Sequence, residues 1–329
     1  MIEQELSWVG LQVGDFRIDQ KLGEGIFSSV YLGSHLQTAE RKVFKVAKTP
    51  DSVSNANREN SLATRAIAKI TGGTMDVLPN PASLLRKQYA QLKSVSDSGW
   101  IKVDQLVDQP GLTYYRMDFV EGETLRQSMT RQSLTVDQTI ALARSLAKLN
   151  KSDLLPFHGD IKAENILLTE YGITVIDPGY FGRLDLVNGS NLADCAITTV
   201  AYYPTLEPDD VMAFGLLLWE IVLGVQPTAQ SGYSLESDLS RIGKNLLESV
   251  RLQEMVGRYF LSSILNVPLP SSLQAQIGSE LESLLLKSIR LKKTADGKID
   301  LDPGFRSFAA IAGALAALRI KGTDRFLSK

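Results

Sequence analysis

The sequence predicts an α+β protein of two lobes, a small β-rich first lobe and a larger, mainly helical second one. Three observations carry that prediction. Short apolar runs with a two-residue period dominate residues 16–120. Helical periodicity takes over from Thr135. The stretch Val211 to Gly224 is apolar nearly all round, broken by Glu220, which is the pattern of a helix buried in the middle of a lobe. Residues 1–15 read as an N-terminal extension, 16–120 as the first lobe, 121–320 as the second and 321–329 as a tail.

In the first lobe, strands are expected at Phe16 to Leu22 and Ser29 to Gly33, flanking a glycine-bearing turn. Lys42 to Lys48 is a third, in which Val43, Lys45 and Ala47 share one face. A helix is expected over about Asn55 to Ile70, ended by Gly72-Gly73. Two more strands fit Trp100 to Leu106 and Leu112 to Phe119, and the stretch from Gly72 to Trp100 is long for a connection. In the second lobe, Thr135 and Gln138 can form a capping box, after which Leu142, Leu146 and Leu149 line one helical face. Later helices fit Ser237 to Phe260, Leu273 to Ile289 and Phe305 to Leu318.

Composition narrows the chemistry. The chain has 329 residues, 44% of them hydrophobic, ample for a packed core. Its 35 basic and 37 acidic side chains leave a formal net charge of −2, which gives no argument for nucleic acid or an anionic membrane as partner. Cys195 is the only cysteine, so an intrachain disulfide and a cysteine zinc cluster are excluded. The two histidines, His35 and His158, exclude a site built from several imidazoles. Met1 to Gly10 lacks the pattern of a secretory signal, and Val211 to Gly224 is too short to span a bilayer. A soluble, cytoplasmic protein is expected.

Four groups of residues can carry chemistry. Gly23 and Gly25, in Leu22-Gly23-Glu24-Gly25-Ile26-Phe27-Ser28-Ser29-Val30, sit between two expected strands and would let backbone N–H groups approach phosphate. Lys45 lies fifteen positions after Val30 and shares a face with Val43 and Ala47, unlike its competitors Lys42 and Lys48. Glu59 is the only acidic residue between Ser52 and Thr74 and so the candidate helix partner for Lys45. His158-Gly159-Asp160-Ile161-Lys162-Ala163-Glu164-Asn165 is followed by the apolar run Ile166 to Leu168, and Ile173-Thr174-Val175-Ile176-Asp177-Pro178-Gly179 places an aspartate twelve residues after Asn165.

Taken together these segments resemble the eukaryotic-type (Hanks-like) serine/threonine protein kinases, and the fold expected is the two-lobed kinase fold. The resemblance implies ATP and Mg²⁺ as ligands, with Asp160 orienting the acceptor hydroxyl, Lys162 neutralising the moving phosphoryl group, and Asn165 and Asp177 holding metal. Leu22, Gly23, Gly25, Val30, Lys45, Glu59 and Leu167 would surround the nucleotide. Arg116 to Gly122 resembles the kinase hinge, with Met117, Asp118 and Val120 beside the adenine. Asp210-Val211-Met212-Ala213-Phe214-Gly215 resembles the buried helix whose aspartate fixes the catalytic loop. Asp302-Pro303-Gly304-Phe305-Arg306 resembles a late motif whose arginine pairs with the glutamate closing the activation segment. No clear A-P-E is present, and the nearest candidate, Glu207, lies only three residues before Asp210, so that segment reads as shortened.

The pattern also departs from that family. Ser28 takes the third glycine position of the loop, Gly159 replaces the arginine of H-R-D, and Pro178 replaces the phenylalanine of D-F-G. Without that arginine, Thr198 and Thr199 lack the usual cationic partner for an activating phosphate. His-Gly-Asp and Ile-Asp-Pro also resemble aminoglycoside-type small-molecule kinases. The implied function is therefore phosphoryl transfer from ATP to a protein hydroxyl, with a small-molecule kinase or a nucleotide-binding pseudokinase scaffold as alternatives.

Overall fold

The computed structural model describes residues 8–49, 80–96, 99–149, 151–185, 192–197, 202–203, 208–223, 271–295 and 299–320. The first lobe is an antiparallel sheet of β1 (Gln12–Val13), β2 (Phe16–Glu24), β3 (Ser28–His35), β4 (Arg41–Ala47), β5 (Val103–Gln109) and β6 (Leu112–Asp118), with helix α1 (Pro81–Lys93) between β4 and β5 in the chain. The strand order is β1-β2-β3-β4-β6-β5. Alternation along β4 sorts its side chains as expected. Phe44 and Val46 join Phe16, Ile18, Tyr31 and Tyr114 in an outer cluster, while Ala47 packs against the main core. Trp8 stacks on Tyr31 at 5.9 Å, and β1 pairs with β2, so residues ahead of Phe16 belong to this layer.

Helix α1 falls in the stretch read from the sequence as an unexplained connection. The helix expected over Asn55 to Ile70 lies outside the described residues. Asn80 caps α1 by accepting from the Ser83 amide at 3.1 Å, and Pro81 fills the first turn, where its missing N–H costs nothing. Leu84, Leu85, Gln88 and Leu92 then form its buried face.

The second lobe begins with β7 (Glu123–Thr124), α2 (Leu125–Arg131) and α3 (Val136–Ala147). The capping box of Thr135 and Gln138 is present, with its two hydrogen bonds at 3.2 and 2.8 Å. Then come β8 (Ile166–Thr169) and β9 (Gly172–Val175), which form a small sheet with β7, and a hairpin of β10 (Tyr180–Asp185) and β11 (Leu192–Ile197). The chain continues through α4 (Asp210–Leu223), α5 (Ser271–Ser288), β12 (Leu291–Lys293), β13 (Ile299–Leu301) and α6 (Phe308–Ile320). The helix expected at Ser237 to Phe260 lies outside the described residues.

Helix α4 is the central post of this lobe. Phe214, Leu216, Leu217 and Leu218 have no exposed surface, each contributing roughly 1.5–3 kcal/mol by burial. Glu220, buried within it, is neutralised by the Arg126 guanidinium of α2 and accepts from the Tyr202 hydroxyl at 2.7 Å. One core runs through both lobes, from Leu85, Leu92 and Tyr115 to Leu217 and Leu285. The lobes are stitched by Ile101 N–H to Val175 O (3.0 Å) and Val175 N–H to Gly99 O (2.8 Å). Among the described residues no helix is long and apolar enough to cross a membrane.

Candidate active site

The lower wall of the cleft is the loop from His158 to Asn165. Asp210, at the start of α4, accepts hydrogen bonds from the His158 amide (2.6 Å), the Gly159 amide (2.8 Å) and the Tyr203 hydroxyl (2.8 Å). The Tyr203 oxygen in turn accepts from the Ile161 amide at 2.9 Å. His158 stacks on Trp100 with ring centroids 5.5 Å apart. Its Nδ1 accepts from the Asp160 amide at 3.2 Å, so Nε2 carries the hydrogen and donates to Ile176 O at 3.0 Å. Burial lowers the His158 pKa and keeps the ring neutral.

These bonds present four polar side chains to one point. Asp160 is 7% exposed, and its Oδ2 lies 2.8 Å from Lys162 Nζ. Asn165 Nδ2 donates to Asp160 Oδ2 at 2.8 Å, to Asp160 O at 2.9 Å and to Asp177 O at 3.3 Å. Asp177 follows β9 with φ 52°, a left-handed conformation that aspartate tolerates better than bulkier residues. The next turn is fastened to the loop by Gly179 N–H to His158 O at 2.9 Å.

Gly159 has a definite reason to be glycine. Its φ is +77°, and a Cβ there would sit 2.9 Å from the Phe181 ring. The place of the H-R-D arginine is thus taken by an aromatic contact, in which Phe157 and Phe181 meet edge to face at 5.4 Å. Thr198, Thr199 and Glu207 lie outside the described residues.

The upper wall is the glycine turn and β4. Gly23 pairs with Val30 across the hairpin, and Gly25 N–H donates to Ser28 O at 2.8 Å. Ser28, in the third glycine position, is buried. Leu22 is 46% exposed at the lip, and Val30 is half-buried behind it. Phe27, at the tip, packs against Leu84 of α1 and Tyr180 and Leu184 of β10. Glu24 is clasped by Lys21 and Lys48, both at 2.5 Å. Their hydrogen bonds hold its carboxyl at about 2.

Lys45 is 4% exposed and ion-paired with Asp177. Burial alone would lower its pKa, but the Asp177 carboxylate outweighs burial and holds it above the ordinary lysine value. Burial likewise pushes Asp177 up, and Lys45 outweighs it, so the carboxyl stays below its usual range. Among the described residues the helix side chain that meets Lys45 is Gln88 of α1, whose Oε1 accepts from Lys45 Nζ at 3.0 Å. Glu59, expected in that role, lies outside the described residues. The competing lysines are engaged elsewhere. Lys42 binds Asp118, Asp104 and Glu40, while Lys48 binds Glu24.

Met117, Asp118 and Val120 line the crossing between the lobes, all half-buried. The Asp118 amide donates to Lys102 O at 2.9 Å, which ties the crossing to the residue before β5. A Cβ at Gly122 would lie 2.3 Å from Leu168 O, so the crossing needs glycine to pass β8. On β8, Ile166 and Leu168 pack into the core, which turns Leu167 to the opposite face. Arg306 is exposed, and the cation placed before α4 is Arg290, ion-paired with Asp209.

Three residues of this site escaped the sequence reading. Gln88 was announced by Asn80-Pro81 as a helix start and by Leu84, Leu85 and Leu92 as its apolar face. Tyr203 and Arg126 carry no local signal, because both act through contacts distant in sequence.

A two-lobed fold with a glycine turn, an inward strand lysine and an Asp-Lys-Asn loop facing a second aspartate is the core of a protein kinase. The chain belongs to the protein tyrosine and serine/threonine kinase family, whose description matches residues 16–241. It is 24% identical over 253 residues to a calcium/calmodulin-dependent protein kinase kinase of Caenorhabditis elegans, covering 69% of this chain and 44% of that one. It is 26% identical over 157 residues to a probable serine/threonine-protein kinase of Clostridium perfringens, covering 43% of this chain and 22% of that one. The chain thus spans less than half the length of these curated relatives. The fold is similar to the kinase domain of Mycobacterium tuberculosis PknI in a double-mutant form, with TM-score 0.50, 14% identity, and coverage of 95% of this chain and 99% of that one.

The residues present fit Mg²⁺. Asn165 and Asp177 supply hard oxygen donors on adjoining segments joined by a hydrogen bond. Two protein ligands, with substrate phosphates and water completing the shell, suit this ion better than a dedicated protein cage.

Proposed function

We propose that this chain is an ATP- and Mg²⁺-dependent serine/threonine protein kinase. The observation that carries the reading is the convergence of Asp160, Lys162, Asn165, Asp177 and Lys45 through one set of contacts. Gly23 and Gly25 keep the turn free of side chains where the phosphates approach, and Lys45 gives them a buried cation. Mg²⁺, when bound, neutralises charge on the β- and γ-phosphate oxygens. Asp160 orients the acceptor hydroxyl and takes its proton as the hydroxyl oxygen bonds to the γ-phosphorus and the bond to the ADP oxygen breaks. Lys162, beside Asp160, stabilises the charge on the moving phosphoryl group.

A second reading, a nucleotide-binding scaffold without transfer, is favoured by one observation: among the described residues the helix partner of Lys45 is the neutral Gln88. Incubation of purified protein with γ-labelled ATP and Mg²⁺, alone and with a lysate, separates the two. Label on serine or threonine supports the kinase. Label in small molecules alone points to a small-molecule kinase. Nucleotide binding with no label transferred supports the scaffold.

A further inference from the structure

We propose that Gln88 is the positioning residue that sets the Asp177 turn against Lys45, and that it is an amide because Pro178 offers that turn an acceptor and no donor. The inference rests on the nucleotide- and metal-binding part of the proposed function. Gln88 is 3% exposed and touches three parts of the site. Its Oε1 accepts from Lys45 Nζ at 3.0 Å, its Nε2 donates to Pro178 O at 2.7 Å, and the same Nε2 lies 3.4 Å from Asp177 Oδ1. The partners fix the orientation of the amide. Lysine only donates, so it must face the oxygen; a backbone carbonyl only accepts, so it must face the nitrogen.

A carboxylate at position 88 could pair with Lys45. It would also face Pro178 O and the Asp177 carboxylate without a proton to give either. Proline has no N–H, so residue 178 has no donor with which to meet that carboxylate. Only a side chain with one acceptor and one donor serves both Lys45 and this turn. Gln88 thus matches the donor-free turn at Pro178. It also couples α1 to the metal ligand, because any displacement of α1 withdraws Gln88 from Lys45 and Pro178 together.

The test is calorimetric titration with ATP in EDTA and with ATP plus Mg²⁺, on the wild-type chain, Gln88→Glu and Gln88→Met. The inference expects the gain in affinity that Mg²⁺ brings, measured as the ratio of ATP binding with Mg²⁺ to ATP binding in EDTA, to fall tenfold or more in Gln88→Glu, about 1.4 kcal/mol. Gln88→Met, which removes both hydrogen bonds and adds no charge, should lose the same metal-dependent increment and decides the matter should Gln88→Glu not fold. A folded Gln88→Glu protein, or a folded Gln88→Met protein, that keeps the wild-type gain from Mg²⁺ overturns the role of Gln88 alone. A wild-type chain that binds neither form of ATP overturns the nucleotide reading, and this inference with it.

Discussion

The two walls of the cleft are built on different principles. The lower wall is held by backbone: amides of His158, Gly159, Asp160 and Ile161 each donate to a side chain, and Asp210 and Tyr203 collect three of them. The upper wall is held by side chains reaching between elements, with Lys45 on β4, Gln88 on α1 and Asp177 after β9. A loop held through its amides keeps its shape under many substitutions at exposed positions. A contact among three separate elements depends on where each element lies. The lower wall is therefore fixed within one loop, whereas the upper wall depends on the placement of three elements, α1 among them.

The largest effect is expected from Asp210→Ala. It strands the amides of His158 and Gly159 in the interior, and should cost about 3 kcal/mol or more in urea unfolding. A loss below about 1 kcal/mol would mean that the loop does not depend on Asp210, and the contrast between the walls would fail. Gly159→Arg comes next. Restoring the family arginine should destabilise by roughly 2–4 kcal/mol, from the positive φ and from overpacking against Phe181. An arginine variant as stable as wild type would show that the aromatic contact yields easily. Tyr203→Phe removes the bonds to Ile161 N and Asp210 while keeping the ring, so about 1–2 kcal/mol should be lost, read by the same unfolding.

The smallest effect belongs to the upper wall. Glu24→Gln should cost only a few tenths of a kcal/mol, because the carboxylate is 45% exposed and its lysine pairs are screened by solvent. The sign follows from its lowered pKa. The folded group stays ionised to about 2 against an ordinary 4.5, so its contribution is complete above pH 4.5 and fades as pH falls towards 2. The difference in melting temperature between wild type and Glu24→Gln should narrow over that interval. A difference that grows on acidification would contradict the pairing.

The same contrast explains what the sequence revealed. His158 to Asn165 and Asp177 were legible because residue types at fixed spacing specify a local backbone path, and the capping box at Thr135 was legible for the same reason. The buried α4 was legible from apolarity all round. Gln88 was not, because its role is set by the placement of a helix against two distant segments. The Asn80-Pro81 start of α1 marks a helix but not which of its side chains meets Lys45. Tyr203 was hidden likewise, since nothing near it in the chain announces a bond to Ile161.

The most direct test of the account is to measure nucleotide binding and γ-phosphoryl transfer side by side for wild type and Asp160→Asn. The account predicts Mg²⁺·ATP affinity within about threefold of wild type and transfer reduced at least a hundredfold, about 2.7 kcal/mol of barrier. On the proposed reading Asp160 faces the acceptor, whereas Asn165, Asp177 and Lys45 face the nucleotide. Transfer at the wild-type rate by Asp160→Asn would contradict it, because the loop built so firmly around Asp210 would then not be the catalytic one.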